Sequence, residues 1–346
     1  MVAITDSDGW VPVTRPEITD IALGGNETNF PGKFFRELAS RDQYLYEQAL
    51  GGDAQSIASA VAFRQLGIAA VAQGRLTLET GVPVSTTDQT AKTTLYYTPY
   101  TGDYVALYDT GLTRWDLYQF TERSLSLSGL AANTNYDLFL WNNSGTLTLE
   151  AVAWSNSGAG TSTRASSISQ LEGIWVKNSD KRRYLGTIRT TATTGQCEDS
   201  KTRRFVFNAA NVVSRVLAKY YTAAVSWTSN TGGAWRAINN DTSNASVYFV
   251  CGLPVPLNLF YVQAMQGSVG AYSAIGKNTV LSPSGFIFEQ QVETVSASAQ
   301  SVGAGFYGEV TDVGYHFFAL IEKTSGLTNH EGSGDQSVGV EGFIFI

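Results

Sequence analysis

The chain has two histidines, His316 and His330, and two cysteines, Cys197 and Cys251, among its 346 residues. Neither histidine lies in an HExxH or nucleophile-elbow motif, and the cysteine spacing forms neither a metal cluster nor a disulfide framework. The expectation is two free thiols, no metal, no cofactor and no catalytic residue. Among the acids, Glu198-Asp199 stand beside Lys201, Arg203 and Arg204 and read as a solvated charged turn. Glycoside hydrolysis needs two carboxylates facing each other about 5–10 Å apart, and nothing in the spacing selects such a pair.

Recognition chemistry has better candidates. Tyr272 lies among Gly and Ser, Tyr307 lies between Gly-rich segments, and Asn329-His330-Glu331 occupy a Gly/Ser-bounded stretch expected to be a loop. Flat aromatic faces stack on the C–H faces of sugars, while amides, imidazoles and carboxylates satisfy hydroxyls. Tyr272, Tyr307, Asn329 and His330 are therefore the candidate receptor-binding residues. Packing in a core or between subunits is the alternative reading of each.

Charge agrees with a weakly charged ligand. The net charge is −7, and residues 223–346 hold three basic and nine acidic side chains. Nucleic acid needs a basic stripe, so this third of the chain is not expected to bind it. The dense positive set is Lys181, Arg182, Arg183, Arg189, Lys201, Arg203 and Arg204, which reads as a strand-and-turn face balanced by acids, with a face toward DNA or an anionic surface as the alternative. No apolar run approaches the twenty or so residues that span a bilayer, and Met1-Val2-Ala3-Ile4-Thr5-Asp6 has no signal-peptide core. The expectation is assembly in the cytoplasm, with no membrane insertion.

The elements that must position these residues are mostly strands. Residues 11–16 should be extended, since the residue before proline avoids the α region. Residues 33–50 have helical spacing, ended by Gly51-Gly52. Asp53 caps a second helix to about residue 66, in which Ile57, Val61 and, if it continues, Ile68 share a stripe. From Gly74 the period is two. Candidate strands are 75–80, 94–97, 104–108, 123–128, 136–141, 146–151, 173–176, 184–190 and 204–207, separated by turns such as Tyr100-Thr101-Gly102-Asp103 and Asn142-Asn143-Ser144-Gly145. Residues 211–220 suit helix or strand. Further strands are expected at 246–251, 257–264, 285–288, 304–309, 314–322 and 338–345. The apolar end Phe343-Ile344-Phe345-Ile346 should be tied into a sheet. No long internal repeat favours a β-helix.

Two stretches carry a resemblance. Asp20-Ile21-Ala22-Leu23-Gly24-Gly25-Asn26-Glu27-Thr28-Asn29-Phe30-Pro31, followed by Arg36-Glu37-Leu38-Ala39-Ser40-Arg41-Asp42-Gln43-Tyr44-Leu45, resembles the N-terminal attachment segment of bacteriophage tail fibres. Phe30-Pro31 and Gly32-Lys33-Phe34-Phe35 depart from the usual spacing of that segment. Thr94-Leu95-Tyr96-Tyr97-Thr98-Pro99-Tyr100, Asp137-Leu138-Phe139-Leu140-Trp141-Asn142-Asn143, Leu149-Glu150-Ala151-Val152-Ala153-Trp154, Arg183-Tyr184-Leu185-Gly186-Thr187-Ile188-Arg189-Thr190 and Trp235-Arg236-Ala237-Ile238-Asn239-Asn240 look like a module of phage structural proteins.

The resemblance implies a virion-anchored, homotrimeric tail fibre that docks on tail or baseplate proteins through Gly24, Gly25, Asn29, Phe30, Leu38, Arg41 and Leu45. A trimer neck would use Ile57, Val61 and Ile68. The implied division is an attachment arm at 1–50, a helical neck at 51–75, a β-sandwich spacer at 76–222 and a receptor-binding, jelly-roll-like β-sandwich at 223–346, facing a host glycan or other receptor. The fold class expected is mainly β, with a short N-terminal helical region. A tailspike depolymerase and a capsid decoration or head-fibre protein are the alternatives.

Overall fold

The computed structural model describes the strands Val2–Ile4 and Val13–Arg15 and residues 67–220, 227–229, 231–242, 246–267, 271–283, 290–292, 300–325, 328–331 and 338–346. The chain divides into two compact units, Met1–Gly67 and Ile68–Ile346.

In the first unit, Val2–Ile4 and Val13–Arg15 pair antiparallel, with Ala3 opposite Thr14. The extended backbone expected before Pro16 is present at Val13–Arg15. Gly24, Gly25, Asn29, Phe30, Leu38, Arg41, Leu45, Ile57 and Val61 lie outside the described residues, as do both expected helices apart from residues 67–69.

The second unit is mainly β, built from several sheets. A three-stranded sheet joins Gly74–Thr77, Thr94–Pro99 and Arg123–Ser126, and Tyr104–Asp109 pairs with Arg114–Gln119. A seven-stranded sheet is centred on Asn135–Asn143, Thr146–Asn156 and Arg183–Arg189. An eight-stranded sheet runs Gln290–Val292, Ala271–Lys277, Gly314–Thr324, Ser246–Cys251, Arg203–Arg204, Cys197–Asp199, Gln89–Lys92, with Arg236–Ala237 also paired to Gly314–Thr324. A six-stranded sheet contains Ser214–Tyr220, Gly339–Phe345 and Val255–Gly267, together with Thr328–Glu331, Trp227–Ser229 and Gln300–Val310.

Local sequence explains these strands. In Gly339–Phe345, Val340 and Ile344 are buried while Glu341, Phe343 and Phe345 are exposed, the period of a sheet with one covered face. The turn between Asn143 and Thr146 has two central residues, Ser144 and Gly145, at φ +50° and +93°. That is the hairpin geometry glycine favours, and the Asn142 Oδ1 accepts the Gly145 N–H at 2.7 Å. Residues 211–220, ambiguous in sequence, contain the strand Ser214–Tyr220 because it pairs along its whole length with Gly339–Phe345.

Two large cores organise the unit. One combines Leu217, Leu257, Leu259, Tyr261, Val340 and Ile344 of the six-stranded sheet with Val247, Phe249, Phe318 and Leu320 of the eight-stranded one. The other joins Leu76, Leu95, Tyr97 and Val105 to Leu138, Leu140, Leu149 and Ile188. The first core also takes Phe139, Tyr184 and Phe207.

The expected division at 222/223 does not follow the sheets. Gln89–Lys92 and Cys197–Asp199 share a sheet with Gly314–Thr324, and Ser214–Tyr220 shares one with Gly339–Phe345. Hydrogen bonding along these edges links early and late strands in one unit. The expected neck also changes at its C-terminal end. Ala72 bridges Val105, and Ile68 packs beside Ala69, Ala106, Trp115 and Val176, because residues 68–75 already belong to the β-unit.

Candidate functional site

The strand Gly314–Thr324 sorts its side chains by parity. His316, Phe318, Leu320, Glu322 and Thr324 are buried on one side, and the odd positions form the other face of the eight-stranded sheet. Along that face Tyr315, Phe317 and Lys323 are half-buried, while Ala319 and Ile321 are covered beneath Trp235, Val280 and Phe317. From Tyr315 to Lys323 the stripe extends about 27 Å at the rise of a β-strand.

Antiparallel register sets Tyr272 directly opposite Lys323 and Ala274 opposite Ile321. Arg236 lies opposite Glu322 on the other side, which brings the preceding Trp235 to the same end. The Trp235 and Tyr272 rings meet edge-on, with centroids 6.5 Å apart at 65°. The Lys323 Nζ lies 5.0 Å from the Trp235 centroid and 4.4 Å from the Tyr272 centroid. The result is a half-buried corner of two rings with an ammonium between them. At the opposite end, Tyr248 and Tyr315 stack at 6.5 Å and Arg189 sits 3.7 Å from the Tyr315 centroid.

The corner can offer ring faces to C–H groups and a cationic donor to hydroxyls. Of the three cations in residues 223–346, Arg236 is paired with Glu322 at 2.7 Å and Lys277 with Asp312 at 2.6 Å. Among the described residues Lys323 pairs with no carboxylate, and its ammonium faces the two rings.

Tyr272 thus stands in this corner. It lies on the strand Ala271–Lys277 rather than in a loop, because its backbone pairs with both Gln291 and Lys323. Tyr307, Asn329 and His330 are also on strands. Tyr307 is opposite Asn258, Asn329 opposite Thr228 and Gln266, and His330 opposite Trp227 and Met265. Those three positions belong to the six-stranded sheet, so Tyr272 is separated from them by sheet membership. Trp235 and Lys323 were missed by sequence reasoning. The signal for Lys323 was its rarity: it is one of three basic residues in the last third of the chain.

The titratable groups singled out in the sequence are engaged elsewhere. His316 is fully buried, with Nε2 2.8 Å from the Asp312 carbonyl and Nδ1 3.0 Å from the Asn278 amide. Burial holds its pKa below the usual histidine value. Burial pushes the Cys251 thiol up to about 12 and raises Cys197 as well, so neither is a thiolate at neutral pH. No group of three or more potential metal ligands occurs among the described residues.

Glu198-Asp199 form no solvated turn. They lie on the strand Cys197–Asp199, paired with Arg203 and Arg204 at 3.1 Å each, and Asp199 also meets Arg215 at 3.3 Å. The wider basic set is dispersed: Arg182 meets Glu150 at 2.8 Å and lies 4.0 Å from the Trp141 ring centroid. Asp137 is 2% exposed and held by Arg164 Nε at 2.6 Å and by the Thr187 hydroxyl at 2.7 Å.

No family model matches the chain, and no curated protein does. Among solved structures, a Cry1Da tryptic core variant from Bacillus thuringiensis overlaps 82% of this chain and 54% of its own at 10% identity and a TM-score of 0.22. The insecticidal delta-endotoxin Cry8Ea1 from the same organism overlaps 79% and 52% at 7% identity and a TM-score of 0.19. This chain spans about half the length of each, and similarity this slight carries no argument about fold or function.

Proposed function

We propose that this chain is a bacteriophage tail-fibre protein that docks on the tail or baseplate through its N-terminal segment and binds a weakly charged host-surface glycan through its C-terminal β-region. The observation that carries the binding half of this reading is the Trp235–Tyr272–Lys323 corner, set in a third of the chain with three basic residues. The docking half rests on the Gly24–Gly25 and Leu38–Leu45 resemblance. The six- and eight-stranded sheets, sharing one core, are read as a jelly-roll-like sandwich.

A homotrimer is the assembly proposed. Phe260, Phe343 and Phe345, exposed by 53%, 45% and 43%, lie on the outward face of the six-stranded sheet, where Phe343 is opposite Val216 and Asn258. Exposed aromatic side chains grouped on one sheet face favour burial against another chain. Tethered copies raise effective concentration, so each glycan contact can be weak.

Adhesion is favoured over depolymerisation. The buried carboxylates Asp137 and Glu322 each bind an arginine and accept further hydrogen bonds, an arrangement that holds structure rather than carrying protons for catalysis. The test is binding of purified chain to host-envelope polysaccharide, with product analysis in the same tube. The expected outcome is saturable binding, weakened by Trp235→Ala, with no new reducing ends. Reducing ends released by the pure chain would move the tailspike reading to first place. Labelling of virions on the head rather than the tail would replace the fibre reading with a head-decoration one.

A further inference from the structure

A second site lies away from the aromatic corner. A cavity of about 150 Å³ is lined by Tyr97, Arg183, Tyr184 and Leu185 at its buried floor, and its half-open rim includes Trp175 and Ala210. This volume is of the size that holds one benzene ring.

Arg183 is 4% exposed. Its Nη1 donates to the carbonyls of Ala69 at 2.8 Å and Ala106 at 2.9 Å. Among the described residues its Nε and Nη2 donate to nothing, and no carboxylate pairs with it. The Trp115 ring lies 5.7 Å from its Cζ. Burial lowers its pKa only to about 10, so the guanidinium is charged at neutral pH. A buried charge without a counter-ion is costly.

The Tyr97 hydroxyl is the second feature of the floor. It accepts the Gly74 N–H at 3.3 Å, and among the described residues its own proton has no acceptor. Arg183 and Tyr97 both line this small cavity, and each has a donor with no acceptor among the described residues. The rim is mostly aliphatic or aromatic: Ala70, Ile174, Trp175, Ala209 and Ala210 offer few partners for hydroxyls.

We infer that this cavity binds a small monocarboxylate with an apolar, ring-sized body, its carboxylate on Arg183 and Tyr97 and its ring against Trp175 and Ala210. A guanidinium suits a carboxylate through paired N–H donors. The apolar rim selects a hydrocarbon ring over a sugar acid, whose hydroxyls would go unpaired there. The ligand would supply the missing counter-charge and brace the segment carrying Ala69, Ala70 and Ala72 against the seven-stranded sheet. This proposal does not rest on the tail-fibre reading.

The experiment titrates the full chain with benzoate, benzamide and glucuronate, at constant chloride, by calorimetry and thermal melting. Benzoate is expected to bind saturably and raise the melting temperature, while benzamide and glucuronate bind at least about tenfold more weakly. Ala210→Leu should fill the rim and remove binding; Tyr97→Phe should weaken it; Arg183→Met should abolish it. If Arg183→Met does not fold, the other two variants decide. Equal binding of benzamide, tighter binding of glucuronate, unchanged affinity in Ala210→Leu, or no heat up to about 10 mM benzoate would overturn the proposal.

Discussion

Lys323 places its ammonium 4.4 Å from the centre of the Tyr272 ring, and the two residues are direct cross-strand partners. The lysine thus holds its ammonium between two rings. Cation–π contacts contribute about 0.5–1 kcal/mol where exposed and about 2 where desolvated, so Lys323→Met at this half-buried corner should lower stability by about 0.5–2 kcal/mol in denaturant titration. Tyr272→Ala should weaken glycan binding with little loss of melting temperature, and wild-type binding should persist at high salt because rings and hydroxyls dominate it. Binding that disappears at moderate salt would mean that charge carries recognition.

Asp137 and Arg164 form a buried pair at 2.6 Å, and the arginine also reaches the Gly252 carbonyl at 2.6 Å. Removing one partner strands the other charge, a loss of about 3–5 kcal/mol. Asp137→Asn and Arg164→Met should each lower the midpoint of chemical unfolding strongly. A loss typical of a surface pair, about 0–1 kcal/mol, would show that the pair is relaxed in solution.

Gly74 allows the Tyr97 ring to lie against the backbone. A Cβ at position 74 would stand 2.5 Å from Tyr97 Cζ and 2.8 Å from Phe120 Cζ. Those two rings are stacked at 5.0 Å and have little room to yield. Gly74→Ala should therefore cost about 1–3 kcal/mol by overpacking, measured as a drop in unfolding midpoint. A neutral or stabilising result would mean that the rings move freely.

His316 has a folded pKa held below its ordinary 6.5, mainly by burial. The unfolded chain then binds the proton more readily, so stability falls as pH drops below 6.5 toward the folded value. Melting followed from pH 8 downward should show this decline. Asp312, whose pKa is also lowered, adds a further loss at more acid pH. His316→Gln should flatten the first part of the profile; an unchanged slope between pH 6.5 and 5 would assign the decline to other groups.

Much of the β-architecture was legible locally. Alternation at 146–151 marked Thr146–Asn156, the expected strand at 314–322 falls within Gly314–Thr324, and Asn142-Asn143-Ser144-Gly145 marked a hairpin whose positive φ at Gly145 suits glycine. Period and turn chemistry are properties of neighbouring residues, so sequence carries them. Gln89–Lys92, Arg114–Gln119 and Ala271–Lys277 gave weaker local patterns and were not anticipated as strands.

The candidate sites were not legible in the same way. Tyr272 could be named for its type, but Trp235 and Lys323 join it only because three strands align in register. Arg183 read as one member of a basic run, and only folding separated it from acids while Arg182 and Arg204 found partners. Strand identity followed from side-chain period, which is local. Which strand lies beside which, and which charge is buried alone, followed from the shared core, where contacts between residues far apart in the chain decide the pairing.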